Sequence, residues 1–231
     1  MAFYYSPKIV TDGLVLYLDA ANPNSYVSGS TTWRDISRGG NNGTLINGPT
    51  YSSLNEGSIV FDGTNDNCPI TNQTFNLSTG SSFTIEIVYK RNSSTPGPAR
   101  GLYTMGGGGI SNARIYFWFD NNSNGSMAIN YFTQSGFDRY ITLSSQLLDT
   151  NFHHAVQVVN KSTLLMTGYF DGVNKGNGSI ESSSTSDTTF RICGTTSCNA
   201  AVAFVRIYNR ALSAQEILQN YNATKSRFGL I

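Results

Sequence analysis

The chain has 231 residues, of which 13% are charged, and its formal net charge at pH 7 is +1. This length is sufficient for one large β domain with a sizeable core, so stability requires neither a metal nor a disulfide. Lysine and arginine are scattered without a basic stripe, which argues against a nucleic-acid partner. No apolar run approaches the roughly 18 residues of a membrane span, which argues against insertion in a membrane.

The amino terminus gives an expectation about the compartment. Residues 1–13, MAFYYSPKIVTDG, have neither the basic start nor the apolar core of a signal peptide. We therefore expect a protein that is made and assembled in a cytoplasm.

Alternation of apolar and polar residues predicts short β-strands along most of the chain, because successive side chains of a strand point to opposite faces. Residues 57–63 read as one such strand. In residues 13–19 the apolar face consists of Leu14, Leu16 and Leu18. In residues 83–89 it consists of Phe83, Ile85, Ile87 and Tyr89.

Two aromatic-rich segments, residues 113–119 and 126–132, predict the next pair of strands. Their apolar face is formed by Ile115, Phe117, Phe119, Met127, Ile129 and Tyr131. Further strands are predicted in residues 139–143, 152–160 and 164–171. Residues 176–187 are rich in glycine, serine and threonine, and we expect a loop there.

The last strand is predicted in residues 200–208. One face carries Ala203, Val205 and Ile207, and the other carries Val202, Phe204, Arg206 and Tyr208. Roughly a dozen short strands separated by frequent turns are typical of a β-sandwich.

The segment that follows this strand predicts a helix. Ser213-Ala-Gln-Glu216 is a capping box, in which the Ser213 hydroxyl and the Glu216 carboxylate satisfy each other's backbone N–H groups. Leu212 before the cap and Ile217 after it fit a hydrophobic staple. We predict a short closing helix over residues 213–222.

Several segments together resemble a known family. In chain order they read GLVLYLDAANPNSY, TTWRDIS, NNGTLINGPTYSS, GSIVFDGTND and VRIYNRALSAQEI. They are similar to laminin-G-like, concanavalin A-like jelly rolls of bacterial surface proteins and of tailed-phage structural proteins. The resemblance implies an all-β antiparallel jelly-roll sandwich with one short C-terminal helix. It also implies a single domain over residues 1–231, with an N-terminal arm over residues 1–12.

The resemblance raises calcium as a candidate cofactor, because laminin-G-like domains often hold a calcium ion at the rim of the sandwich. Asp62, Asn65 and Asp66 offer oxygen ligands, and Asp120 with Asn121 and Asn122 forms a second group. No acid on a strand completes either group, and Asp and Asn also favour such turns for conformational reasons. Both interpretations stay open, and no other cofactor is indicated.

Catalytic residues are not expected. A glycosidase requires two carboxylates about 5–9 Å apart, and the strand at residues 83–89 offers Glu86 alone. His153 and His154 are adjacent in a predicted strand, so they point to opposite faces and do not share a metal or a proton.

Cysteine usage does not indicate a disulfide framework. Cys193 and Cys198 flank a short loop and are able to lie within bridging distance, whereas Cys68 stands apart. In a reducing compartment we favour free thiols for this pair. A single pair of cysteines without histidine partners is a poor zinc site.

One group of residues is suited to contact a ligand or a partner. Tyr116, Trp118 and Arg114 share one face of a predicted strand, and Asn130 lies on the neighbouring strand. Aromatic rings and planar polar groups bind sugars and also anchor protein interfaces, although aromatic residues on a sheet often belong to the core.

Two functions are compatible with these observations. The first is a virion structural protein of a tailed phage, a surface-exposed capsid decoration or head-fibre protein that acts by contact with other capsid or tail proteins. A trimer would strengthen such an attachment through avidity. The alternative is a lectin-like, carbohydrate-binding module for adhesion or host recognition, with a glycan as its partner. The fold alone does not distinguish them.

Overall fold

The computed structural model describes residues 8–54, 57–70, 74–75, 77, 81–95, 100–106, 113–121, 126–132, 138–144, 148–181, 189–194 and 198–230. Within these ranges the first part of the chain forms β1 (Leu14–Asp19), β2 (Thr32–Trp33), β3 (Gly43–Thr44), β4 (Thr50–Ser52), β5 (Ser58–Asp62), β6 (Cys68–Pro69), β7 (Phe83–Arg91) and β8 (Arg100–Gly106). The second part forms β9 (Ala113–Asn121), β10 (Ser126–Phe132), β11 (Asp138–Ser144), β12 (His153–Asn160), β13 (Leu165–Phe170), β14 (Val173–Ser179), β15 (Phe190–Ile192), β16 (Asn199–Tyr208) and the helix α1 (Ala214–Phe228).

Two antiparallel sheets pack face to face. The first sheet has the order β14-β13-β12-β7-β16-β5-β4, and β1 also pairs with β16. The second sheet has the order β11-β10-β9-β8-β15-β6, while β2 and β3 form a separate pair. Residues of both sheets meet in one core, where Tyr89 and Phe117 pack edge to face with ring centroids 5.2 Å apart. The predicted all-β antiparallel sandwich is confirmed.

The predicted faces of the long strands are confirmed where the ladders are regular. Phe83, Ile85, Ile87 and Tyr89 all lie in the core between the sheets. The same holds for five residues of the aromatic-rich hairpin, namely Ile115, Phe117, Met127, Ile129 and Tyr131. The predicted position of the Phe119 side chain lies outside the described residues.

β-bulges change the faces of two other strands. The register of β16 shifts between Val202 and Phe204, so Val202 faces the main core together with Val205. The predictions that Val202 shares a face with Phe204 and that Ala203 shares a face with Val205 are therefore both wrong, because a bulge adds one residue and reverses the alternation. A second shift between Leu14 and Leu16 places Leu14 on the opposite face of β1 from Leu16.

The predicted loop at residues 176–187 is wrong over its first part. Val173–Ser179 is strand β14, at the edge of the first sheet, and it pairs with β13. Gly176, with φ of 127°, falls at a register shift in this ladder, where a residue without a β-carbon is favoured. Residues 182–188 lie outside the described part of the chain.

The closing helix begins as predicted and ends later. The Ser213 side chain accepts from the Glu216 N–H, and Glu216 reaches back to the Ser213 N–H, so the capping box is formed. The helix continues to Phe228 rather than ending at residue 222, and Gly229 terminates it in the left-handed conformation. Its buried stripe is Ile217, Asn220, Tyr221, Thr224 and Phe228. This stripe packs on the outer face of the first sheet, the face that carries Val88 and Tyr208.

The expectation of free thiols at residues 193 and 198 is corrected, because the structure joins Cys193 and Cys198 in a disulfide with their Cα atoms 5.3 Å apart. This separation lies within the ordinary range for a bridge. Cys68 is a free, buried thiol. None of the described helical structure has the length and hydropathy to cross a bilayer.

Candidate functional site

The outer face of the second sheet gathers the candidate ligand residues of the sequence. Ile115 and Phe117 face the core, so Tyr116 and Trp118 between and beyond them face outward. Asn130 on β10 also faces outward, because Ile129 and Tyr131 on either side of it face the core.

Strand pairing brings these residues side by side and adds one more. Asn130 lies opposite Tyr116 on β9 and opposite Tyr140 on β11. The rings of Tyr116 and Trp118 lie with centroids 5.1 Å apart at an angle of 42°. We call this set of Tyr116, Trp118, Asn130 and Tyr140 the aromatic face.

The members of the aromatic face differ in accessibility. Tyr140 is 64% exposed, which is high for a tyrosine in a strand. Trp118 and Asn130 are half-buried, whereas Tyr116 is buried. Trp118, Asn130 and Tyr140 are thus the more accessible members of the aromatic face, and the Tyr116 ring lies against the Trp118 ring. Arg114 belongs to β9, but its side chain lies outside the described residues.

This combination suits contact with a sugar. Tyr and Trp combine a large apolar ring with one polar group, so they cover apolar patches of a ligand at low conformational cost. The Asn130 amide offers both a donor and an acceptor for hydroxyl groups. The arrangement therefore permits stacking and hydrogen bonding on the same surface.

The calcium candidates at residues 62–66 are engaged in their own turn. The Asp66 carboxylate accepts from the Asp62 N–H at 3.0 Å, and the Asp62 carboxylate accepts from the Thr64 N–H at 2.7 Å. Burial raises the pKa of Asp66. The side chains of Asp62, Asn65 and Asp66 supply fewer oxygens than the six to eight that calcium takes, so a calcium ion here would need further ligands, and this site stays a prediction. The side chains of Asp120, Asn121 and Asn122 lie outside the described residues.

A second polar group surrounds His153, at the start of β12. Its Nδ1 lies 2.7 Å from the Asp171 carboxylate and its Nε2 lies 3.0 Å from the Asp149 carboxylate. Burial opposes protonation, but these two carboxylates outweigh it and raise the pKa of His153. The Asp149 carboxylate also accepts from the Asn151 N–H, and the Asp171 carboxylate also accepts from the His154 N–H. The group therefore holds the loop before β12 against the β13–β14 turn.

His153 and Asp171 also line an open groove of about 500 Å³ beside the end of α1. Lys90 stands on its wall, with Nζ 5.4 Å from the centre of the Phe152 ring. The two aspartates that flank His153 were missed by sequence reasoning, because they approach the histidine only through a turn and a hairpin.

A third polar group is buried between the first sheet and α1. Glu86, 1% exposed, receives His154 Nε2 at 2.6 Å, Arg206 Nη1 at 3.3 Å and Asn220 Nδ2 at 3.0 Å. The Arg206 guanidinium is stacked over the Phe204 ring, 4.0 Å from its centre. Burial alone would raise the pKa of Glu86, but Arg206 and His154 hold it below its ordinary value. Glu86 thus anchors the helix and is enclosed by protein groups.

The solved structures with similar folds include toxin binding domains and a sialidase. The binding domain of paraclostridial mosquitocidal protein 1 matches with a TM-score of 0.73 and 18% identity, over 92% of this chain and 52% of that chain. The binding domain of botulinum neurotoxin DC in complex with SialylT matches with a TM-score of 0.71 and 14% identity, over 92% and 52%. Trypanosoma rangeli sialidase in complex with sialic acid matches with a TM-score of 0.70 and 17% identity, over 93% and 33%.

These likenesses concern the fold, since all of the identities are low. The chain spans about half the length of the toxin domains that it matches. A comparison with curated proteins gives no significant match. The model of the family described as the concanavalin A-like lectin/glucanases superfamily matches residues 62–218, which is more than half of the chain. The sandwich, its order of strands and this match together establish that the chain belongs to the concanavalin A-like lectin/glucanases superfamily.

Proposed function

We propose that this chain is a lectin-like module that binds carbohydrate through the aromatic face. The observation that carries the proposal is the alignment of Tyr140, Asn130 and Tyr116 across three neighbouring strands, with the Trp118 ring centroid 5.1 Å from that of Tyr116. An exposed tyrosine and a half-buried tryptophan lie near an amide on the sheet that does not pack against α1, a combination of groups that suits stacking and hydrogen bonding with a sugar.

Similar folds that bind sugars support this proposal. The neurotoxin domain was solved with SialylT and the sialidase with sialic acid. Another structure of the neurotoxin DC binding domain was solved with rat synaptotagmin II, so the fold also accommodates protein partners. We favour a glycan here because the aromatic face combines aromatic rings with a neutral amide.

We further propose that the module binds without catalysing a reaction. Glu86 is enclosed by His154, Arg206 and Asn220, and it has no path to a substrate on the aromatic face because the core of the sandwich lies between them. Asp149 and Asp171 are both committed to His153 and to backbone N–H groups. A glycosidase needs a pair of carboxylates that is available to a sugar, whereas Glu86 is buried and the two aspartates are held by His153 and the backbone.

The setting of this module is proposed from the sequence alone. The resemblance to structural proteins of tailed phages favours a position on the surface of a virion, as a capsid decoration or head-fibre protein, where glycan binding would serve adhesion. We also propose that the module contacts other capsid or tail proteins and that it forms a trimer. Mass spectrometry of purified particles tests it: the polypeptide should be present in a fixed copy number, and its absence would refute the virion setting.

A glycan array tests the proposed function. The purified chain should bind a subset of glycans, and Trp118→Ala should weaken binding at least about tenfold, which corresponds to 1.4 kcal/mol. Tyr140→Ala should act in the same direction. Leu218→Ala is the matched control, because Leu218 is an exposed apolar residue on α1, on the other side of the sandwich. Absence of any bound glycan, or equal loss in the control, would refute the proposal.

A further inference from the structure

We propose that the open groove beside the end of α1 binds a sugar that carries a carboxylate, and that Lys90 is the cation that receives this group. The groove lies on the first sheet, whereas the aromatic face belongs to the second sheet. It is therefore a second binding site, and the inference does not depend on the proposed function. Its volume of about 500 Å³ lies within the range of pockets that take small molecules.

Lys90 places a positive charge in this groove. Tyr89 faces the core between the sheets, so Lys90 beside it in β7 faces outward. The side chain is half-buried, and its Nζ lies 5.4 Å from the centre of the Phe152 ring, which also lines the groove. Among the described residues, no carboxylate forms an ion pair with Lys90. The ammonium group is thus available to an anion in the groove.

Two exposed polar side chains of the loop before β12 line the same groove. In the described part of the chain, the Thr150 hydroxyl and the Asn151 amide have no hydrogen-bond partner. The loop that carries them is held in place, because the Asp149 carboxylate accepts from the Asn151 N–H at 2.8 Å and contacts His153 Nε2 at 3.0 Å. A hydroxyl and an amide each donate and accept hydrogen bonds, so they suit the hydroxyl groups of a sugar.

The carboxylates near the groove are paired with other groups. Asp171 lines the groove, but its Oδ2 lies 2.7 Å from His153 Nδ1. Burial opposes ionisation of Asp149, but hydrogen bonds with His153 and the backbone, together with the charge of Arg91, lower its pKa. These two negative charges are therefore compensated by protonated His153 and by Arg91, and Lys90 is left as the charge that a ligand compensates.

The accessible lining favours a hydroxylated acid over an apolar one. Phe152 and Phe228 line the groove, but they are only 4% and 5% exposed and offer little apolar area. Lys90, Thr150 and Asn151 are more accessible, and all three are polar. A uronic acid combines a carboxylate for the ammonium group with hydroxyls for the other two side chains. We therefore favour a uronic acid unit as the ligand.

Paired sugars test the inference. The methyl glycosides of glucuronate and galacturonate are each compared with the neutral glucoside and galactoside, which lack the carboxylate. Each sugar is titrated into the isotope-labelled chain at fixed salt and about pH 6, and the dissociation constant and the backbone amide shifts are followed by NMR. At least one uronic acid should bind about tenfold more tightly than its neutral partner, and the shifts should centre on Thr150 and Asn151.

Three outcomes of this titration overturn the inference. They are equal affinity within both pairs, absence of binding by both uronic acids, and shifts that centre on the aromatic face. Each of them leaves the proposed function standing, because that function concerns the other sheet. Conversely, a uronic acid that shifts only the groove supports the inference even where the glycan array gives no binding to the aromatic face.

The pH dependence of binding gives an independent check. Burial opposes protonation of His153, but Asp171 and Asp149 outweigh it, so its folded pKa lies above the ordinary value of about 6.5. As the pH rises through the folded pKa, the group around the groove loses a positive charge while the carboxylate of the ligand stays ionised. The affinity for the uronic acid should therefore fall at least about twofold, and that for the neutral sugar should not. An affinity for the uronic acid that is constant or rises with pH overturns the inference. The charged and titratable groups around His153 are Asp149, Asp171, Lys90, Arg91 and Tyr221.

Three variants locate the site. Lys90→Gln should bring the ratio of acidic to neutral affinity close to one, whereas Lys90→Arg, which keeps the charge, should retain most of the preference. Lys175→Gln is the control, since it removes an exposed positive charge from β14 that does not line the groove, and it should keep the wild-type ratio. A preference that survives in Lys90→Gln, or one that is lost equally in Lys175→Gln, overturns the assignment of Lys90 and with it the inference.

Discussion

Replacement of Asn220 by alanine should strongly destabilise the protein, because this one side chain joins α1 to three other parts of the fold. Its Oδ1 accepts from the Val10 N–H at 2.8 Å. Its Nδ2 donates to the Glu86 carboxylate at 3.0 Å and to the Tyr208 hydroxyl at 2.9 Å. Asn220 is 1% exposed, so water does not replace these bonds without rearrangement.

The expected loss is about 3 to 4.5 kcal/mol. The bond to the charged Glu86 contributes roughly 1.5–3 kcal/mol and each of the neutral bonds about 1 kcal/mol. Alanine regains roughly half a kcal/mol because it is a better helix former than asparagine. The variant also leaves the Val10 N–H and one Glu86 oxygen short of a partner in a buried place, which keeps the loss near the upper part of this range.

Urea denaturation of the wild type and two variants measures this loss. Gln219→Ala is the matched control, because Gln219 is the preceding residue of α1, is exposed and makes one bond to the Lys8 carbonyl. We expect the control to change the free energy of unfolding by less than about 0.5 kcal/mol. A loss in Asn220→Ala below about 1 kcal/mol, or one equal to the control, would show that the buried polar group does not hold the helix.

Three further predictions concern other parts of the fold. Ser213→Ala should lower the free energy of unfolding by about 1 kcal/mol, because the Glu216 N–H loses its cap; an unchanged denaturation midpoint would contradict this. The pKa of His153 is raised in the folded protein, since Asp171 and Asp149 outweigh the effect of burial. Its stabilising contribution is complete below the unfolded pKa of about 6.5 and is lost as the pH rises through the higher folded value. The difference in unfolding free energy between wild type and His153→Gln should therefore shrink from pH 6 to pH 9 (approximate limits of this window), and a constant or growing difference would argue against the pair of carboxylates. Finally, thiol titration of the unfolded, unreduced chain should detect Cys68 alone, and detection of Cys193 or Cys198 before reduction would contradict the disulfide.

Local pattern was sufficient to predict the regular strands and the start of the helix. The alternation of Phe83, Ile85 and Ile87 predicts which face of the strand is buried. The capping box at Ser213 is predictable because it joins residues that are close in the sequence. The end of the helix was not predicted. It depends on Gly229, beyond a polar stretch whose burial against the sheet is a tertiary effect.

Features that depend on long-range pairing were missed. The bulge near Ala203 reverses the faces of β16 and leaves no clear mark in the order of apolar residues. The prediction of free thiols at Cys193 and Cys198 followed from the expected reducing compartment. The bond depends instead on how close the fold brings the two residues.

The candidate site was predicted only in part, because some of its residues meet through strand pairing that the sequence does not indicate. Tyr116, Trp118 and Asn130 lie on sequential strands of one hairpin, so their proximity was readable from the sequence. Tyr140 joins them through the pairing of β11 with β10, which the sequence alone did not indicate.

Tryptophan fluorescence tests glycan binding at the aromatic face most directly. The chain has two tryptophans, and Trp33 is fully buried while Trp118 belongs to the aromatic face. In the Trp33→Phe variant, titration with a glycan that the protein binds should change the fluorescence emission of Trp118. The glycan should also protect Trp118 from quenching by acrylamide. In Trp118→Phe, the remaining Trp33 should show no change. A glycan that binds the protein but leaves the emission and the quenching of Trp118 unaltered would contradict recognition by this face.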